Sequence, residues 1–424
     1  MPDSDSAFRR AMRIWGRDGF LALLRVAVRA KLIRPVTNRL WDGSFLTTEE
    51  VQRRCAEEGN LWEYDGEFDS DEIRDELFSR HDDSDYLFRI REEGYDWSPR
   101  RVCELRDAVV MGEDGLVADS EGNFVDESIK SREPWESAEK YVFERPEMRF
   151  RAAKRRKGLL PFGEPTRLEN AMSMVGTHTD GHYGHWLLEY LPMLLHLSVY
   201  EENTGREPDI IVDKDAPDWM LETLRILGYD DERFVRFDDE FALVDRLVLP
   251  FSSVFAYSPK MIRMSPVEYR WLREWFLESV DGTDTSANER FYLSRQGVDR
   301  RQITNFDEIE PVLEEFGIEA VRPETMSVEE QVRKFSRGGL FIGPSGSGLH
   351  NTLFAKNAKT VEIFAPDVRQ HAQYLLDTAL GHEHTSVFGS FHDGDRSKGR
   401  KYMSFQVNPE ALRKVLREVL SDAK

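Results

Sequence analysis

Residues 338 to 364 read GGLFIGPSGSGLHNTLFAKNAKTVEIF. An apolar run enters a glycine and serine turn, continues as a helical pattern, and ends in a second apolar run, the order expected of parallel strands joined by a helix. The turn predicts an anion site. Gly343, Gly346 and Gly348 can take backbone angles closed to other residues, so amide N–H groups can converge on a phosphate. A helix beginning near Gly348 would add its unpaired amides and the positive end of its dipole. Ser345, Ser347, His350 and Asn351 supply the polar side chains of this loop. The second strand, Thr360 to Phe364, carries Glu362, an acceptor placed where a ribose hydroxyl could be read. Together these features predict a nucleotide-diphosphate pocket.

Working outward, the pattern alternates strands and helices from Gly176 onward. Apolar periodicity predicts a helix from about Gly184 to Tyr200, with Pro192 able to kink or shorten it. It predicts strands at Asp209 to Val212 and Arg246 to Leu249, and helices at Trp219 to Leu227 and Pro266 to Val280. The stretch from Asp281 to Asn288 is polar and turn-rich and reads as a linker. Beyond it come strands at Phe291 to Leu293, Ile318 to Val321, Leu340 to Ile342 and Val361 to Phe364. The alternation predicts two α/β units with parallel, helix-covered sheets, whose ligands sit at the carboxyl ends of the strands. The expected domains are residues 100–280 on the acceptor side, entered through β-hairpins between Val102 and Val125, and residues 289–424 on the donor side. Residues 1–99 form an N-terminal extension.

That extension contains a basic segment, Phe8 to Trp41, with nine arginines and lysines against Asp18 alone. Its helical apolar spacing fits either a helix on an anionic membrane surface or one packed on the core with arginines outward. Residues 58 to 98 read as irregular acidic connection. The run Arg149, Arg151, Lys154 to Lys157 reads as a solvated face.

Three segments carry a family resemblance: GTHTDGHYGHWLLEYLPMLLHL, ERFYLSRQGVDRRQITNFDEI and the glycine loop. In order and spacing they resemble glycosyltransferase family 61, through Gly184, His185, Trp186 and Glu189, then Ser294 and Arg295, then Gly343, Gly346, Gly348, Asn351, Phe354 and Glu362. Ser345 stands where the family usually has His, and His350 where it usually has Thr. The resemblance implies a GT-B-like fold, two Rossmann-like domains facing a cleft. It also implies an inverting transfer of a sugar from a nucleotide diphosphate to a hydroxyl.

Such a transfer needs a stabilised leaving diphosphate and a base for the acceptor hydroxyl. Arg295, which follows a strand, can clamp a phosphate in bidentate fashion alongside the turn. Arg300 and Arg301 are weaker candidates because Asp299 and Asp307 can pair with them. For the base, Asp180, His182, His185 and Glu189 fall in one window. His185 and Glu189 are four apart and share a helix face, so Glu189 can orient the imidazole. The bland alternative is a histidine packed beside Trp186. His178, His182, His185 and Asp180 lack a defined zinc spacing, so no metal site is expected. No cofactor is required beyond the nucleotide-sugar substrate. A divalent cation could bridge its diphosphate but is not demanded, and Asp213 and Asp215 read as a turn rather than a metal motif.

One rival chemistry is a serine hydrolase or acyltransferase using Ser345, since Gly343 to Ser347 resembles a nucleophile elbow followed by Asp367 or Asp377 and His382, His384 or His392. The elbow requires glycine at its fifth position and Ser347 stands there. A second rival is a protein that binds a nucleotide sugar or glycan without transferring it.

Composition sets the outer bounds. A net charge of −21 and 79 acidic against 58 basic residues, most of them arginine, argue against nucleic acid as a partner. The acidic, lysine-poor balance fits a protein from a salt-rich cytoplasm, such as a halophilic archaeon's, or simply an acidic mesophilic enzyme. Cys55 and Cys103 are the only cysteines, which leaves no disulfide framework and predicts a reducing compartment. No run approaches the roughly 20 apolar residues of a membrane span. The expected partners are a nucleotide sugar and a glycan or lipid-linked oligosaccharide acceptor, with the enzyme cytoplasmic and either soluble or peripheral, at the inner face of the plasma membrane if residues 8–41 meet anionic lipid.

Overall fold

The computed structural model describes residues 44–64, 100–112, 115–126, 128, 166–176, 181–237, 241–251, 266–298, 301–366, 372–391 and 404–421. The basic segment 8–41, the run 149–157, His178, Asp180, Asp299, Arg300, Asp367 and His392 lie outside the described residues. The chain is a mixed α/β protein in two compact units. The first gathers residues 1–61, 103–177 and 237–249. The second gathers 62–102, 178–236 and 250–424, so the His185 segment, expected on the acceptor side, groups with the glycine loop.

The first unit is built on a mixed sheet. Strand Arg101–Met111 pairs antiparallel with Leu116–Ala118, with Val109 opposite Ala118, which gives the expected hairpin. Strand Thr166–Ser173 pairs parallel with Phe241–Phe251, much longer than the strand foreseen at 246–249. Its core includes Cys103, Val110, Met111, Leu116, Phe124 and Val125, all buried.

The second unit holds a five-stranded, all-parallel sheet whose order is Glu319–Val321, Glu289–Leu293, Gly338–Pro344, Lys359–Phe364, Glu383–Phe388. The central strand Gly338–Pro344 is buried along nearly its whole length, as a parallel strand covered on both faces must be. The covering helices are amphipathic for identifiable reasons. Val328–Phe335 starts at Ser327, whose hydroxyl accepts from Glu330 N while Glu330 accepts from Ser327 N; such a capping box contributes on the order of 1 kcal/mol. Val328, Val332 and Phe335 then point inward and are buried. Phe335 meets Phe291 and Phe341 at 5.6 and 6.0 Å between ring centres, and truncating it to Ala would cost about 3–5 kcal/mol. On the other face Tyr292, Ile342, Val361 and Ile363 pack with Leu412 and Leu416 of the C-terminal helix.

The strand order fixes where a ligand belongs. From Glu289–Leu293 the chain crosses to Glu319–Val321 on one side, then returns to Gly338–Pro344 on the other. The topological switch therefore lies between Glu289–Leu293 and Gly338–Pro344, where open α/β sheets leave a crevice at the carboxyl ends. Ser294 and Arg295 follow one of these strands and the glycine loop follows the other.

Candidate functional site

A pocket of about 480 Å³ opens at this switch point, lined among others by Tyr183, Trp219, Ser294, Arg295, Ser347 and Asn351. Its size and mixed lining suit a small-molecule site. The loop glycines play different parts from those expected. Only Gly346 takes a positive φ, 154°, and a Cβ there would stand 2.5 Å from Arg295 Nη1. The guanidinium thus packs on bare backbone. Gly343 is required by close approach instead, since its Cβ would meet the Leu293 carbonyl oxygen at 2.9 Å, while at Gly348 a Cβ would meet nothing within 4 Å. The segment after the turn, Ser347–Phe354, is a 3₁₀ rather than an α-helix, with Leu349 N bonded to Gly346 O at 3.0 Å. Asn351 spends both ends of its amide within the protein. Its Oδ1 accepts from the Tyr183 hydroxyl at 2.7 Å and its Nδ2 donates to Gly348 O at 3.0 Å, which ties the loop to the 183–185 turn.

The helix expected over 184–200 is three pieces. An α-turn Tyr183–His185 leads into a π-turn Trp186–Tyr190, then an α-helix Met193–Thr204. Pro192 has no N–H to continue a regular ladder, and Leu191 N reaches back to Trp186 O at 3.0 Å, the wider bond of a π-turn. Across this turn His185 Nδ1 lies 2.6 Å from Glu189 Oε1. Glu189 is 3 % exposed and its Oε2 is buried without a hydrogen-bond partner. Burial holds its carboxyl well above the usual range. His185 itself keeps a side-chain exposure of 17 %. Trp186 is core, its indole N–H bonded to Thr223 Oγ1 at 2.9 Å. Gly184 lets this turn approach the loop: a Cβ there would stand 2.7 Å from Ser347 Oγ and 2.9 Å from His350 Cδ2. The Gly-His pair therefore places an imidazole against the glycine loop within one compact unit.

Beneath the loop lies a polar network that composition and spacing did not reveal. His350 Nδ1 is 3.0 Å from Gln373 Oε1, and Gln373 Nε2 donates to Thr352 Oγ1 and to Asp377 Oδ1, each at 2.8 Å. Asp377 Oδ2 is 2.8 Å from His384 Nδ1, and His384 Nε2 is 3.5 Å from Glu362 Oε2. Burial holds the His350 imidazole down to about 4, so it is neutral near pH 7. Burial pushes Glu362 up to about 7, against the pull of His384 and the Ser345 hydroxyl. Burial alone would raise Asp377, but hydrogen bonds from His382 and His384 hold it below the ordinary carboxylate range. Burial would likewise lower His384, and the Asp377 bond and charge lift it instead.

Glu362 therefore sits under the loop, 1 % exposed, rather than on the pocket wall where a ribose would be read. Ser345 is 2 % exposed and hydrogen-bonded to Glu362, whereas a nucleophile elbow must expose its hydroxyl. Ser294 and Arg295 do line the pocket. Arg301, adjacent to the undescribed Arg300, is close enough to act electrostatically on both His350 and Glu362. Asp213 and Asp215 form the expected turn, with Asp215 N bonded to Asp213 Oδ1 at 2.8 Å. Among the described residues no group of three His, Cys, Asp or Glu side chains is arranged to hold a metal ion. Trp219, Tyr183 and Gln331 also line the pocket; Trp219 had only its helical periodicity to announce it.

Comparison with known families gives one assignment. The family model described as Glycosyltransferase 61 matches residues 183–361, a span that begins at Tyr183 and contains the His185–Glu189 turn, Arg295 and the whole glycine loop. No curated protein matches the chain.

Proposed function

We propose that this chain, whose residues 183–361 match the family model described as Glycosyltransferase 61, moves a sugar, with inversion, from a nucleotide diphosphate to a hydroxyl of a glycan or lipid-linked glycan. The acceptor oxygen bonds to the anomeric carbon and yields its proton to His185 Nε2, while the bond from that carbon to the diphosphate oxygen breaks and the electron pair leaves with the nucleotide. Glu189 orients the imidazole through Nδ1. Arg295 and the loop amides take up the charge developing on the diphosphate. No cofactor enters this scheme. The single observation that carries it is the pairing of Arg295 with the Gly346 backbone at the switch point of a parallel sheet. The parallel and mixed sheets are compatible with a GT-B-like arrangement of acceptor-side and donor-side domains, which forms part of the proposal. The arginine-rich segment 8–41 supports a peripheral contact with anionic membrane on the cytoplasmic side, where a lipid-linked acceptor for cell-surface polysaccharide or glycoprotein would be presented.

The test is incubation with radiolabelled UDP-, GDP- and dTDP-sugars and isoprenoid-linked or free oligosaccharide acceptors, at high salt. Transfer to an acceptor, weakened in Arg295→Ala through a donor KM raised about 10-fold or more, is the expected result. Tight donor binding with neither transfer nor slow hydrolysis would remove the enzyme reading.

A further inference from the structure

We propose that Asp377 and Gln373 are positioning residues that lock His350 as its Nδ1–H tautomer and so present the Nε2 lone pair, beside the 184–185 turn, as an acceptor for a sugar hydroxyl. The inference deepens the transferase reading and rests on it for the identity of the ligand. It starts at Asp377, whose side chain is wholly buried and accepts at Oδ2 from His384 Nδ1. Its other oxygen, Oδ1, lies 3.5 Å from His382 Nδ1 and 2.8 Å from the Gln373 amide. Gln373 must turn its amide nitrogen to Asp377 Oδ1, because the flipped amide would set a carbonyl oxygen 2.8 Å from a carboxylate oxygen. Thr352 agrees with this orientation: its Oγ1 accepts from Gln373 Nε2 at 2.8 Å and is then free to donate to Asp377 Oδ1 at 3.3 Å.

With the amide nitrogen committed, Gln373 Oε1 faces His350 Nδ1 at 3.0 Å and can only accept. The proton of a neutral imidazole must then sit on Nδ1, which leaves Nε2 as a lone pair. Nε2 lies on the side of Gly184, 3.1 Å from where a Cβ would be, with Ser347 Oγ 2.7 Å from the same point. His185 is near enough that its charge opposes protonation of His350. Two imidazoles in one site thus have different fates. His185 can take a proton, while His350 accepts a hydrogen bond and stays neutral.

The experiment is ¹⁵N NMR of histidine-labelled protein, with His350 identified by the signals missing in His350→Gln. The unliganded protein is expected to show the Nδ1–H tautomer between pH 5 and 8 without titration. In Gln373→Met the signal should move to a mixture of tautomers or to Nε2–H; Gln373→Leu serves if that variant does not fold. A proton on Nε2 in the unaltered protein, or an unchanged tautomer in both variants, overturns the lock. Calorimetry then selects a binder from UDP-, GDP- and dTDP-sugars. The Nε2 signal should shift with that sugar nucleotide and not with the matching nucleoside diphosphate; an equal response to both, or to neither, overturns the hydroxyl contact. A panel with no binder counts against the transferase reading, whereas the tautomer is read without ligand and stands or falls alone.

Discussion

Two histidine–carboxylate assemblies lie on either side of the same loop, and they are built for opposite purposes. At His185–Glu189 the carboxylate has one oxygen bonded at 2.6 Å and the other buried without a partner, and the imidazole keeps 17 % of its side-chain surface. At His384–Asp377 the carboxylate meets His384, Gln373 and Thr352, and the ring is 4 % exposed. An under-satisfied buried acid beside a half-open base can change protonation during a reaction. A fully satisfied acid cannot do so cheaply, and serves as scaffold. The lesson is that chemical type alone, a His next to an acid, does not mark a catalytic group; incomplete satisfaction beside a partly exposed imidazole does.

The largest effect should come from breaking the first assembly. His185→Ala is expected to lower kcat by roughly 10²–10⁴ while leaving the dissociation constant of the donor within about two-fold, the range for losing a general base. Single-turnover kinetics with the donor found in the panel would check it, and a His185→Ala enzyme with normal kcat would move the base elsewhere. Breaking the second assembly should do the reverse. Asp377→Ala leaves the Gln373 amide and His384 without their buried acceptor, and should cost about 3–5 kcal/mol of stability by denaturant unfolding. Residual folded protein would keep the His185-dependent kcat but show a raised donor KM, because the Gln373 amide that fixes His350 is released. If instead Asp377→Ala unfolds normally but is inactive, the two roles are exchanged.

Next in size is the contact between the regions. Gly184→Ala inserts a Cβ 2.7 Å from Ser347 Oγ and 2.9 Å from His350 Cδ2. Ser347 can rotate away, but the His350 ring is held by Gln373, so the 183–185 turn must shift by several tenths of an ångström. We expect a fall of about 10-fold in kcat/KM with little loss of melting temperature, because misplacement at a reacting centre costs rate before it costs folding. Gly184→Ala combined with Ser347→Ala should recover only part of the loss if His350 is the rigid neighbour.

Much of this was legible in the sequence, and the limits were physical. The strands flanking the glycine loop announced themselves because a parallel strand covered on both faces must be an unbroken apolar run; the extended ranges 338–344 and 359–364 contain the expected ones. His185 and Glu189 were readable as neighbours because an i, i+4 spacing survives even a π-turn. The π-turn itself was not readable, since Pro192 signals only that a regular ladder ends. Gln373 and Asp377 were invisible as partners of His350, twenty or more residues away, because a buried polar network has no period. Glu362 was misplaced for a related reason. Its strand position was right, but alternation along a strand buried on both faces does not tell which face meets ligand, and here the carboxyl faces His384 beneath the loop.

The last contrast concerns pH and separates two members of the buried network, Glu362 and His350, which burial shifts in opposite directions. Glu362 is raised by burial to about 7 from an ordinary 4.5. Between these values the folded state holds a proton the unfolded chain has lost, so its contribution is fully present below pH 4.5 and disappears as pH rises through 7. His350 is lowered to about 4 from an ordinary 6.5. Between those values the unfolded chain binds the extra proton, so stability is lost as pH falls through the same range. The two slopes oppose each other between pH 4.5 and 6.5 and largely cancel there, whereas above pH 7 only the Glu362 loss persists. Glu362→Gln cannot ionise, and should therefore be more stable than the unaltered protein at pH 8 by about 1–3 kcal/mol, with the difference shrinking toward pH 5. Chemical denaturation at the two pH values reads this directly. A Glu362→Gln protein that is destabilised equally at both would mean that the carboxyl is ionised throughout and paired with His384, and the buried network would then be a salt-bridged scaffold with no pH-dependent member above pH 5.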